Sequence, residues 1–306
     1  METSRRSFRN FRKFPVTLTV SIGLCFSAQA MSQDDFPSKD LTYVNPFSPG
    51  GEIDVTARQQ QPLLEEYFDR NVTITYRTGG GGAVGWSHVK DEPADGHTFA
   101  GFSLPHIIAQ PMVRDPGYAT DDLKIAYIFH STPQVLVVRD DSPIESLDDF
   151  IEEARDNPAS VTIGGTGEDI DLTWIPFPGT GPTIPALEGG HVSALMTNST
   201  AAYQNRDKFR ALAVAWDERL PFMEDVPTFR EQGYDVVEAI YRGALVPDDT
   251  PDDIVQALAD GFDEVNHDIE DKQTDMGAFV HFWGPEESVQ LVERLESEYA
   301  DLLEDL

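Results

Sequence analysis

Apolar residues in this chain fall into short runs that alternate with stretches of helical spacing. Residues 41–44 are an apolar run. Val72, Ile74 and Tyr76 alternate with threonines, the period-two pattern of a strand. Residues 98–102, 211–215 and 244–246 predict further strands, the last ended by Pro247. Residues 125–129 and 135–138 predict two more, separated by Ser131-Thr132-Pro133. A short helix is predicted over 83–90, and another over 146–157 with Ser146 as its cap and Pro158 as its stop. Thr250-Pro251 opens a helix with Ile254, Leu258 and Phe262 on one face. Pro285 opens the last, with Val289, Val292, Leu295, Tyr299 and Leu302 toward the core. Such alternation predicts an α/β fold with mostly parallel strands.

The first thirty residues follow a different logic. Arg5, Arg6, Arg9, Arg12 and Lys13 give a basic start, residues 14–26 are apolar, and Ala28-Gln29-Ala30 is a small-x-small cleavage site. This predicts a cleaved signal peptide over 1–30 and a periplasmic location. Ser4-Arg5-Arg6-Ser7-Phe8 resembles a twin-arginine export motif, with Arg9 and Asn10 in place of its usual leucine and lysine. Cleavage removes the one cysteine, Cys25, and with it any thiol chemistry.

At 306 residues the chain is long enough for two domains. Its 54 acidic residues against 22 basic ones give a formal net charge of −32, spread along the whole length. Such a surface stays soluble where salt screens charge, so a salt-adapted source is expected. It also argues against nucleic acid as a partner.

Candidate chemistry is confined to turns. Asn45-Pro46-Phe47-Ser48-Pro49-Gly50-Gly51 links a strand to a helix start, with Asp54 as the expected N-cap. Backbone N–H groups gathered at such a turn suit a carboxylate or phosphate. An ordinary strand-to-helix turn is the competing reading. The run Gly79-Gly80-Gly81-Gly82 lacks the Gly-Lys-Ser/Thr of a nucleotide loop but leaves a small-anion loop open. The seven histidines show no metal-ligand spacing, and there is no Gly-x-Ser-x-Gly elbow or other nucleophile–base constellation. No enzyme activity, metal or cofactor is therefore expected.

The order of these pieces resembles the substrate-binding proteins of tripartite tricarboxylate transporters, the Bug receptors. The resemblance rests on the segment from Pro46 to Arg58, on Arg77-Thr78-Gly79-Gly80-Gly81-Gly82, and on Pro93-Ala94-Asp95-Gly96-His97-Thr98. It continues through Ile175-Pro176-Phe177-Pro178-Gly179, Arg210-Ala211-Leu212-Ala213, Asp225-Val226-Pro227-Thr228 and Tyr241-Arg242-Gly243. It covers the chain from about residue 40 to its end.

The resemblance implies two α/β lobes of the periplasmic-binding-protein type (type II-like), residues 40–134 plus 240–306 and residues 135–239, closing over a small di- or tricarboxylate. It implies a monomer that serves the membrane subunits of a tripartite transporter. It places Phe47, Ser48, Gly50, Gly51, Asp54 and Ser103 at the ligand on the first lobe, and Gly165, Thr166 and Asn198 on the second. Arg242 is placed near the hinge, either pairing with a second ligand carboxylate or forming a surface salt bridge. One departure stands out. Only residues 164–171 separate two strands that a helix of several turns joins in the family, so the second lobe is expected to lack one helix. The two strands should then pair as a hairpin, or one should leave the sheet. Alternatives are a ligand-sensing or binding-impaired paralogue, or a secreted hydrolase.

Overall fold

The computed structural model describes residues 36–156, 161–165, 173–177 and 180–304. The signal segment, Cys25, Pro158 and Thr166 lie outside the described residues, as does the side chain of Leu302.

The chain runs from β1 (Leu41–Asn45) into α1 (Glu52–Phe68), β2 (Val72–Tyr76), α2 (Ala83–Val89), β3 (Thr98–Leu104) and α3 (His106–Val113). The long β4 (Leu123–Arg139) leads to α4 (Leu147–Asp156), β5 (Thr162–Gly165) and β6 (Thr173–Pro176). Then come α5 (Thr180–Glu188), β7 (Ala194–Asn198), α6 (Ser199–Gln204) and β8 (Phe209–Ala215). The chain ends with β9 (Ala239–Pro247), α7 (Asp252–Asp275), β10 (Phe279–Trp283) and α8 (Pro285–Glu304).

The strands join in the order β2-β1-β3-β9-β4-β7-β5-β6, with β8 and β10 also pairing with β4. In both outer sections they run parallel, β1 with β2 and β3, and β5 with β6 and β7. Toward the middle, β9 and β4 pair antiparallel with each other and with their other neighbours. The result is a mixed α/β fold with two lobes. Residues 123–133 of β4 pair with β9, and residues 134–139 pair with β7 and β8, so this one strand carries the chain across.

That continuity corrects the expected break at Ser131-Thr132-Pro133. Pro133 lacks an N–H, yet it falls at the changeover from β9 to β7 and β8, where the ladder changes partner anyway. A second correction concerns β5 and β6, which are adjacent and parallel, with Thr162 opposite Thr173 and Gly165 opposite Pro176. The hairpin expectation assumed that a parallel return needs a helix. Four-residue strands span only about 10 Å, and seven extended residues reach about 23 Å, so a plain link suffices.

Each lobe packs apolar side chains on both faces of its sheet section. Phe99 belongs to one cluster and Phe102 to another, and in β4 Val135 and Val137 face one core while Leu136 and Val138 face the opposite one. This is the period-two alternation of strands made visible. The Ile254, Leu258 and Phe262 face of α7 is buried as its spacing predicts. In α8 the buried stripe is Ser288, Leu291 and Leu295, and Val289 is 55% exposed, against expectation. Ser146 does cap α4: its Oγ accepts from Asp149 N at 3.1 Å, and Asp149 Oδ2 accepts from Ser146 N at 2.9 Å.

Phe262 is fully buried among Phe129, Phe99, Tyr127 and Tyr43, with ring centroids 5.0 to 6.4 Å away. Phe262→Ala should lower the unfolding free energy by about 3–5 kcal/mol in denaturant titrations at constant ionic strength. A loss below about 1 kcal/mol would contradict this packing.

Candidate functional site

The turn after β1 is shaped by its own side chains. Asn45 Oδ1 accepts from Phe47 N at 3.0 Å, and Phe47 packs edge-on against Trp86. Gly50 has φ +82°, a left-handed conformation that favours glycine, while Gly51 is extended at φ −77° and is the N-cap of α1. Asp54 is therefore not the cap. It sits in the first turn and reaches back, with Oδ2 accepting from Gly50 N at 2.8 Å. Its carboxylate also takes the Tyr76 hydroxyl at 2.5 Å and Arg58 Nε at 3.1 Å. Burial pushes the Asp54 pKa up, but the bonds from Tyr76, Gly50 and Arg58 outweigh it and hold it below the usual range. Asp54 is thus a brace for the turn.

Three strands carry the floor of a cleft. Ser103 on β3 lies opposite Arg242 on β9, and Arg242 lies opposite His130 on β4. Residues directly opposite share a face, so the three form one row. The β4–β9 register shifts between Ile128 and His130, an irregularity of the kind that re-aims side chains at sites. The glycine turn sits over this row. A cavity of about 30 Å³ is lined by Phe47, Gly51, Glu52 and Ile53 from the turn and α1, by Ser103 and His106 from the β3–α3 corner, by Ile240 and Arg242, and by Thr180 from α5. A smaller neighbouring space adds Gln134 and Asn198, which are cross-strand partners on β4 and β7.

Glu52 was not among the residues expected here. Its carboxylate lies 2.9 Å from Arg242 Nη2 and 3.1 Å from His130 Nε2. Glu52 and Arg242 are both buried, with side chains 5% and 6% exposed. Arg242 Nη1 donates to Thr132 Oγ1 at 2.5 Å and to Ile240 O at 3.1 Å. Burial raises the Glu52 pKa, and the Arg242 charge with bonds from His130 and Thr200 more than reverses this, so Glu52 stays ionised. Thr200, just inside α6, has one hydroxyl proton and two acceptors in reach, Glu52 and Asn198 Oδ1, the latter at 2.6 Å. Glu52 therefore ties α1 to both crossing strands and to α6. The surface reading of Arg242 does not hold: its side chain is a buried partner of Glu52, and it also lines the cavity.

Of the expected ligand residues, the structure brings Phe47, Gly51, Ser103 and Arg242 to one cavity and places Asn198 in the adjoining space. Thr180 links the two, accepting from Asn198 Nδ2 at 3.2 Å. Ser48, Gly50 and Asp54 support the turn from outside the cavity lining, and Gly165 is the last residue of β5. The four-glycine run is also outside it. All four have positive φ, the loop's carbonyls accept from Gln110 and Arg114, and a Cβ on Gly82 would strike the Trp86 ring at 2.5 Å.

The lobes meet in this conformation. A Cβ on Gly181 would lie 3.6 Å from Pro49 O. At about 30 Å³ the cavity is well below the roughly 150 Å³ that holds a benzene-sized guest, so an organic acid enters only when the lobes part. Helices α1, α3, α5 and α6 all begin at the cleft, at Gly51, His106, Thr180 and Asn198. Their first N–H groups supply donors and positive partial charge.

A two-lobed α/β fold with donors converging at strand ends and helix starts defines a solute-binding receptor. The family described as tripartite tricarboxylate transporter family receptor matches residues 56–277. The protein BugT of Bordetella pertussis is 26% identical over 272 residues, covering 81% of this chain and 83% of BugT. A Pseudomonas sp. protein encoded between tcbD and tcbE is 29% identical over 254 residues, covering 76% of this chain and 75% of its own. Among solved structures, MatC from Rhodopseudomonas palustris with bound malate superposes with a TM-score of 0.81 at 26% identity, covering 87% of this chain and 99% of MatC. An R. palustris protein with adipate gives the same TM-score and identity, covering 88% and 98%. The chain belongs to the tripartite tricarboxylate transporter receptor family, whose members are solute-binding receptors and not enzymes. Among the described residues no helix is long and apolar enough to cross a membrane.

Two expectations follow. Arg242→Leu strands the Glu52 carboxylate and should cost about 3–5 kcal/mol, whereas the double change with Glu52→Leu should cost less than that single one. Costs that simply add in denaturant titrations would contradict the buried pair. The second concerns acid. Burial, with the nearby His130 charge adding to it, lowers the His281 pKa from 6.5 to about 4. Below pH 6.5 the unfolded chain therefore binds the extra proton first, and stability falls as pH drops toward 4. Glu52 and Asp54, also lowered, extend the loss below the ordinary carboxylate range. His281→Gln should flatten the stability profile between about pH 6.5 and 5. An unchanged slope there would contradict the assignment.

Proposed function

We propose that this chain is an exported receptor that binds a small organic carboxylate in the cleft between its lobes and delivers it to membrane transport subunits. The observation that carries this reading is the convergence of four helix N-termini, Ser103 and Arg242 on one closed cleft. Such a site suits a carboxylate because helix starts bring N–H donors and positive partial charge to one place. The malate and adipate held by the two R. palustris structures support the same ligand class. One lobe comprises residues 40–134 plus 240–306 and the other 135–239, with β4 and β9 as the hinge. The mature receptor begins after Ala30 in the periplasm and acts as a monomer. Its acid-rich surface fits a salt-adapted source. Closing on a ligand follows from contacts that exist only when the lobes meet, such as Glu52 of the first lobe with Thr200 of the second, and Gly181 against the Pro49 carbonyl.

A second reading, a binding-impaired or ligand-sensing paralogue, draws on the short β5–β6 link and on the occupied Arg242. One screen separates them. In thermal unfolding with a panel of small carboxylates, run at about 0.1 M and about 3 M salt, the midpoint should be higher in strong salt. At least one carboxylate should raise it further, and that ligand should shrink the radius of gyration in solution scattering. Ser103→Ala should weaken the ligand about tenfold with little change in the ligand-free midpoint. No shift with any carboxylate at either salt level would favour the binding-impaired reading, and a lower midpoint in strong salt would end the salt-adaptation claim.

A further inference from the structure

Besides the His106 imidazole, two ionisable side chains line the cleft, Arg242 and Glu52, and their opposite charges pair. We infer that Glu52 is a specificity-determining residue that turns this cleft toward a zwitterion, a small ligand with one carboxylate and one ammonium group, and away from dicarboxylates. The inference rests on the carboxylate-receptor reading and concerns the charge of that ligand.

The geometry supports it at three points. Arg242 is buried, and its guanidinium is already engaged by Glu52, Thr132 and the Ile240 carbonyl. A ligand carboxylate aimed at Arg242 must displace Glu52 or lie beside it, and two carboxylates in a dry site repel strongly. Glu52 Oε2 is buried and, although Arg242 Nη2 lies 2.9 Å away, no N–H or O–H among the described residues is aligned on it. An ionised carboxylate accepts several hydrogen bonds, so this oxygen retains room for a cationic donor. Ser103 Oγ, opposite Arg242 in the same row, is likewise buried and without a partner among the described residues. The cleft therefore offers donors at its helix starts for one carboxylate and a charged acceptor beside them for an ammonium group. A dicarboxylate would find a place for its first charge and a repulsive neighbour for its second.

Calorimetry with matched pairs tests this. The wild-type protein and Glu52→Gln are titrated with zwitterions (glycine, alanine, β-alanine, 4-aminobutyrate) and with dicarboxylates of similar length (malonate, succinate, malate, adipate). The wild type should bind its best zwitterion at least about tenfold more tightly than any dicarboxylate, and Glu52→Gln should lose that preference and gain dicarboxylate affinity. A wild type that prefers a dicarboxylate overturns the inference and leaves the carboxylate-receptor reading standing. A hydroxy monocarboxylate such as lactate bound as tightly as the zwitterion overturns the cation-receptor role of Glu52. If neither protein binds any carboxylate or zwitterion, both the inference and the reading beneath it fail. The wild-type ratio decides the matter even if Glu52→Gln does not fold, which circular dichroism would reveal.

Discussion

The buried pair of Glu52 and Arg242 is the contact on which the two lobes depend. Among the described residues Arg242 is the one buried lysine or arginine, and it sits on a strand that crosses between lobes. A lone guanidinium at that depth would be prohibitive, so its partner must come with the fold. Glu52 is delivered by the first turn of α1, where the helix start also favours a negative charge. From there it reaches His130 on β4 and Thr200 on α6. One carboxylate thus joins a first-lobe helix, both crossing strands and a second-lobe helix.

This arrangement explains why the middle of β4 is polar. His130, Ser131 and Thr132 look like a turn between two apolar runs, but each has a partner in a different element. His130 meets Glu52, Ser131 bonds His281 on β10 at 2.8 Å, and Thr132 receives Arg242. A strand that crosses under a ligand cleft has no apolar neighbour to pack against on that face. The polar run marks where the core of one lobe stops and the next begins.

Local features were legible in the sequence, and contacts between distant segments were not. The strand, glycine turn and helix around Phe47 and Gly51, the Ser146 cap and the buried face of α7 all depend on neighbours within a few residues. Their signals are periodicity and turn chemistry. Glu52 lies inside the very motif that pointed to the site, yet a glutamate among 54 acidic residues carries no mark of burial. Its partner is 190 positions away, and only the β3–β9–β4 register brings Arg242 beneath it. Asp54 was misassigned because an acidic residue near a helix start serves equally as a cap or as a brace reaching back from the first turn. The β5–β6 hairpin expectation failed on a similar point, since link length limits topology only through reach.

The cleft is a charge-balanced receptor site, and its internal ion pair should persist when a ligand is bound. A crystal structure of the protein with its tightest ligand tests this most directly. The expected result is a ligand carboxylate on the N–H groups at the starts of α1, α3 and α6, with Glu52 still about 3 Å from Arg242. A ligand carboxylate seated on Arg242, with Glu52 swung out of the cleft, would contradict it.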